Sequence, residues 1–224
     1  ALLGKVKEMF RNEEFKAYFI IQFAATTLIV INTRGMFSSF GESVKHAYFQ
    51  VASVMTTTGY ATTDFNLWPE FSRALMLIVM CIGASVGSTG GGLKVSRALL
   101  IAKESYRKLK KMIFPNKVET VHLNGKTVSD EMMSSIMGYL GLYVLLMIVS
   151  TLIVALDNKD FISNFSGVIA TLNNIGPGLE IVGATGNYSS YSVLSKIVFI
   201  FDMLAGRLEL FPMLALMNYK VWKK

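Results

Sequence analysis

The sequence predicts an all-α integral membrane protein made of two helix–re-entrant half-helix–helix repeats. Three observations predict it. The 224-residue chain is 52% apolar and only 17% charged, with a mean hydropathy of +0.46, which is more apolar than soluble domains usually are. Residues 136–156 contain no charge, and a bilayer core about 30 Å thick is crossed by roughly 20 apolar residues in a helix. Finally, one order of apolar and polar segments occurs twice, over residues 1–117 and again over 118–224.

In the first repeat, residues 17–31 form the first membrane helix. Residues 44–55 are apolar but too short to cross a bilayer, and suit a half-helix that enters and turns back. A second helix starts near Phe71 and continues through Leu75-Met76-Leu77-Ile78-Val79-Met80. The second repeat has the span 136–156, a short apolar stretch 161–172, and a helix from Tyr191 to about Met217. That last helix is unusual in holding Lys196, Asp202, Arg207 and Glu209.

Charge sets the orientation. The formal net charge is +7, and the basic residues cluster. Lys94, Arg97, Lys103, Arg107, Lys108, Lys110, Lys111 and Lys117 follow the second helix. Lys5, Lys7, Arg11 and Lys16 precede the first, and Lys220, Lys223 and Lys224 follow the last. The positive-inside rule places these segments, and both termini, in the cytoplasm, with a multi-pass chain in the cytoplasmic (inner) membrane. A basic run that abuts a membrane segment reads as such a flank and not as a nucleic-acid patch. Cys81 is the lone cysteine, so no intrachain disulfide forms. The start at Ala1 reads as that of a fragment or a processed chain. His46 and His122 stand apart from any metal-ligand spacing, and no catalytic constellation marks an enzyme.

The repeats align most clearly where each short helix ends. Val51-Ala52-Ser53-Val54-Met55-Thr56-Thr57-Thr58-Gly59 matches Val168-Ile169-Ala170-Thr171-Leu172-Asn173-Asn174-Ile175-Gly176 in layout: apolar half-helix, three mostly polar residues, glycine. The run Thr56-Thr57-Thr58-Gly59-Tyr60 is similar to potassium-channel filters, whose carbonyl oxygens replace the hydration shell of the ion. Glycine permits the backbone angles that aim successive carbonyls one way. The plainer alternative is a threonine-rich turn closing a helix. A second loop, Gly87-Ser88-Thr89-Gly90-Gly91-Gly92-Leu93-Lys94, misses a phosphate loop by one residue, because Leu93 stands where lysine is required. It reads instead as a break in a membrane helix, or as a plain glycine hinge for packing. Such irregular backbone is tolerated only where it lines water or is buried in protein. Arg207 lies well inside the last helix, where a charge faces a pore or enters a structural ion pair.

With Gly83, Asn173-Asn174-Ile175-Gly176-Pro177 and Ala205-Gly206-Arg207-Leu208-Glu209, these motifs resemble the membrane subunit of Trk/Ktr/HKT potassium transporters, most closely the bacterial Trk type. The resemblance covers essentially the whole chain but only the third and fourth of that family's four pore-loop repeats. It implies potassium uptake, with potassium as the transported ion held by carbonyls of Thr57, Thr58 and Gly59 and of Asn174, Ile175 and Gly176. Asparagine side chains at 173 and 174 would brace the second loop. Gly87, Ser88, Thr89, Gly90, Gly91 and Gly92 would form the gate, with Arg207 facing the pore. The implied partners are membrane lipid, the missing N-terminal half of the pore and a second copy in a homodimer of full-length protomers. A cytoplasmic nucleotide-binding regulatory subunit would dock on the basic segment, which would equally suit anionic lipid headgroups. The alternative is a non-conducting membrane scaffold or regulatory subunit of related ancestry.

Overall fold

The computed structural model describes residues 10–88, 90–115, 119–208 and 212–213. The expectations that fall on Lys5, Lys7, Thr89, Lys117, Glu209, Lys220, Lys223 and Lys224 lie outside the described residues. Helix α1 spans Glu13–Asn32, started by the Asn12 side chain, which accepts from the Glu14 and Phe15 amides. Helix α2 spans Phe40–Met55, four residues longer at its start than its apolar run. There, Ser39 accepts from the Glu42 amide while the Glu42 carboxylate takes the Ser38 amide at 3.0 Å, a close relative of the capping box. Helix α3, Glu70–Cys81, follows Pro69 and stops where the glycines begin. Helix α4, Val95–Ile113, carries most of the basic segment.

Helix α5, Asp130–Val154, is capped by Ser129 and extended by a single 3-10 turn to Asp157. Helix α6, Phe161–Leu172, is capped by Asp160, and α7 spans Val193–Leu208. The all-α expectation needs one correction. An antiparallel hairpin, β1 (His122–Leu123) and β2 (Lys126–Thr127), joins α4 to α5. Its turn, Asn124-Gly125, has both φ values positive, as a type I′ hairpin turn demands. That dipeptide was the readable signal.

The helices pack in two similar groups. In one, α1, α2 and α3 touch each other; in the other, α5, α6 and α7 do, and α3 meets α6 between them. One core joins Ile29, Val51, Met55, Phe65, Met76 and Met80 to Ile169, Ile175 and Leu179 of the second group. Polar residues are buried with them: Gln22, Gln50, Ser53, Ser150, Asn164, Thr171, Asn173 and Asp202. The outside is apolar, with Ile20 and Phe23 on α1, Ile148 and Leu152 on α5, and Ile197 and Ile200 on α7 all exposed. Burying polar groups while exposing a continuous apolar belt is costly in water and suits hydrocarbon. Helix α1, with 20 residues, and α5 with its extension, 28 residues, are long and apolar enough to cross a membrane. Helix α6, with 12 residues, is only about 18 Å long at 1.5 Å per residue.

On α4, the buried Glu104 carboxylate holds Arg107 in a two-point contact of 2.8 and 2.9 Å. That contact, outweighing burial, lowers the Glu104 pKa. Its stabilisation is therefore complete above the ordinary glutamate pKa of roughly 4.3 and is lost as pH falls through the lower folded value. Glu104→Gln should melt at a lower temperature at neutral pH and lose less on acidification, measured by melting in detergent from neutral to strongly acid pH.

Candidate functional site

The two loops after α2 and α6 have the same backbone. In the first, the amides of Thr56, Thr57 and Thr58 donate to the carbonyls of Ala52, Val54 and Ser53; in the second, Asn173, Asn174 and Ile175 donate to Ile169, Thr171 and Ala170. Each bond has its counterpart 117 residues on. The dihedral angles repeat too: Thr57 and Asn174 have φ of 54° and 56°, and Gly59 and Gly176 have 79° and 105°. A left-handed threonine is uncommon and costs about 1–3 kcal/mol. It is held by its surroundings: the Thr56 hydroxyl donates to Ala52 O at 2.7 Å, the Thr56 and Thr58 hydroxyls share a bond of 2.8 Å, and Ser53 Oγ donates to Tyr60 O. Tyr60 itself is exposed.

The second loop is anchored by its asparagines. Asn173 is fully buried; its Nδ2 donates to Ile169 O and to the Tyr143 hydroxyl, both at 2.8 Å, and its Oδ1 accepts from the same hydroxyl at 3.1 Å. Asn174 Nδ2 reaches Met203 O on α7 at 3.1 Å. The Gly176 carbonyl already accepts the Tyr188 hydroxyl at 2.7 Å, which leaves one of its lone pairs.

Glycines mark where backbones meet. A methyl group on Gly59 would strike the Ile175 carbonyl oxygen, so the two loops touch there. One on Gly206 would strike the Leu172 carbonyl, so α7 presses on the last turn of α6. Gly83, unlike Gly206, is not inside a helix. It lies past the end of α3, and its amide bonds Leu93 O at 2.7 Å to close the neck of the Gly-rich loop. That loop sits against both of the others. A methyl on Gly90 would be 3.0 Å from Thr57 Oγ1, one on Gly91 would be 2.8 Å from Asn173 O, and one on Gly92 would strike the Asn173 side chain. The surface a phosphate would need at these glycines is thus covered. Nothing crowds Gly87, and the neighbouring Val86 amide donates to Glu14 Oε1 of α1 at 2.7 Å. Arg207, next to Gly206, is exposed at the end of α7.

Several contacts here could not be read from the sequence. Asp202 is fully buried on α7 and accepts from Ser150 Oγ of α5 at 2.8 Å. Arg73 pairs with Glu70 at 2.6 Å and with Glu180, tying α3 to the segment after the second loop. Asn66 accepts from the Glu180 amide and donates to its carbonyl, tying down the segment after the first. A charge in an apolar run flagged Asp202, but its neutral partner 52 residues away gave no signal.

Known proteins share this architecture. The family model described as "TrkH: Cation transport protein" matches residues 17–223. The Trk system potassium uptake protein TrkH of Escherichia coli K12 is 38% identical over 98% of this chain and 45% of its own length. TrkG of the same organism is 31% identical over 97% of this chain and 45% of its own. The crystal structure of the potassium transporter TrkH from Vibrio parahaemolyticus superposes with a TM-score of 0.86 at 34% identity, over 95% of this chain and 46% of that one. The chain thus spans about half the length of these relatives, which are transporters rather than enzymes. With a family model over nearly its whole length and such relatives beside it, the chain belongs to the TrkH family of cation transport proteins.

Proposed function

We propose that this chain forms half of a potassium-conducting pore in the cytoplasmic membrane, its short helices α2 and α6 entering and leaving on one side. The observation that carries this is the loop backbone repeated at 57–59 and 174–176, with the two copies in contact at Gly59 and Ile175. Left-handed residues alternate with Thr58 and Ile175, which are not left-handed, and such alternation turns successive carbonyls to one side. The ligands are the carbonyls of Thr57, Thr58 and Gly59 and of Asn174, Ile175 and Gly176, which take the place of water around a potassium ion. Helices α2 and α6 both end at these loops, adding roughly half an elementary negative charge each. Only the glycine is shared in sequence between the two loops, so discrimination against sodium is weaker than in a four-fold symmetric filter.

The Gly-rich loop, residues 87–92, is the gate beneath the filter, and Arg207 stands on the pore side of α7 as its electrostatic complement. The remaining ligands come from the N-terminal half of the pore. The full-length protomers pair as a homodimer among lipids, with both termini cytoplasmic. A nucleotide-binding regulatory subunit docks on the basic face of α4, where Lys108 and Lys111 are exposed. The rival is a non-conducting membrane scaffold or regulatory subunit of related ancestry. Rubidium uptake into proteoliposomes, with this chain alone and with the complementary half, separates the two. Uptake that needs both halves supports the pore; no uptake from two folded halves rejects it.

A further inference from the structure

The Gly-rich loop carries a cation of its own. Lys94 is the N-cap residue of α4, extended in backbone and without a side-chain capping bond. Local chemistry argues against lysine there: N-caps favour Ser, Thr, Asp and Asn, and a helix N-terminus disfavours positive charge. Lysine is also among the side chains least often buried, yet only 8% of Lys94 is exposed. A residue that breaks two local rules is where function is to be sought.

The ammonium group of Lys94 folds back into the loop. It donates to the carbonyl of Gly90 and, at 3.4 Å, to that of Ser88. Gly90 is the residue pressed between Ala84 and Thr57, the left-handed threonine of the first filter loop. The neck is closed by Gly83 N to Leu93 O and Val95 N to Ala84 O. Between neck and filter, then, the loop is drawn together by a charge attached to its own end. Backbone carbonyls left without a partner inside a membrane are costly.

We propose that Lys94 is a positioning residue for the gate: its ammonium, bound to the Gly90 and Ser88 carbonyls, latches the Gly-rich loop beneath the filter. The inference rests on the reading of that loop as the gate. Release of the latch frees Gly90 from Thr57 and opens the path below the filter.

The test follows a cysteine at position 84, buried under Gly90, in a Cys81→Ser background, with the chain reconstituted beside its complementary half. A small water-soluble thiol reagent reports how often the loop lifts. Lys94→Met and Lys94→Gln should speed labelling of Ala84→Cys on the order of tenfold, the worth of a hydrogen bond to a charged group. Lys94→Arg should keep it near the unsubstituted rate. Ala47→Cys, buried in α2, is the control and should stay unlabelled in every variant. Acceleration at 84 alone, reversed by arginine, supports the latch. Acceleration at both positions, or at neither, overturns it. Rubidium uptake should rise by a similar factor in Lys94→Met. A pore that passes no rubidium in any form rejects the conduction reading, while the labelling still decides whether Lys94 holds the loop.

Discussion

Gly59→Ser should abolish rubidium uptake by the reconstituted pore, with a loss of about a hundredfold or more. Two costs fall on one position. Gly59 has φ of +79°, where an L-residue pays about 1–3 kcal/mol, and its new side chain would strike the Ile175 carbonyl. The loops separate or the carbonyls turn, and about 3 kcal/mol is already a factor of more than a hundred. Gly176→Ser is the comparison. Its φ of 105° is strained in the same way, but nothing lies within reach of its side chain. Uptake should fall less at 176 than at 59. Equal losses would show that the contact between the loops is not what matters.

The second large effect is at Gly206. Glycine to alanine inside a helix ordinarily gains about 1 kcal/mol. Here the methyl would meet the Leu172 carbonyl and come within 2.9 Å of Asn174 Nδ2, pushing α7 off the end of α6 and stretching the bond from Asn174 to Met203. Overpacking of this kind costs about 1–3 kcal/mol and more where backbone is struck. Gly206→Ala should therefore lower the melting temperature in detergent and reduce uptake. Gly141→Ala, on the open face of α5 with nothing nearby, should leave the melting temperature unchanged or raise it. A neutral Gly206→Ala would mean that α7 and the end of α6 are not in backbone contact.

Much of this was legible in the sequence, and the reasons differ by residue. Helix α6 ends where its apolar run ends, because Asp160 caps one side and Asn173 begins the loop on the other. The match of Thr56-Thr57-Thr58-Gly59 with Asn173-Asn174-Ile175-Gly176 was legible from layout alone, although one identical residue joins them. A helix that ends in a left-handed residue can use threonine or asparagine there, so sequence identity is a poor guide to a shared backbone. The start of α2 was missed by four residues because Gly41, Glu42 and Ser43 cut Phe40 off from the apolar run, while the Ser39 and Glu42 capping pattern extends the helix. The hairpin was missed because four strand residues carry no periodicity. Pairings such as Arg73 with Glu180 and Asp202 with Ser150 span long sequence separations, and only packing brings them together. That Gly90, Gly91 and Gly92 each face a residue of the two matched loops explains a run of glycines that the sequence displays without giving its cause.

In the proposed pore a dehydrated cation sits among carbonyls of the two matched loops. The most direct measurement is anomalous diffraction from crystals of the complete pore grown in rubidium. Density is expected on the pore axis within direct coordination distance of the carbonyls of Thr57, Thr58 and Gly59 and of Asn174, Ile175 and Gly176. Density absent from that position in an otherwise ordered pore, or located only at side-chain carboxylates elsewhere, would contradict it.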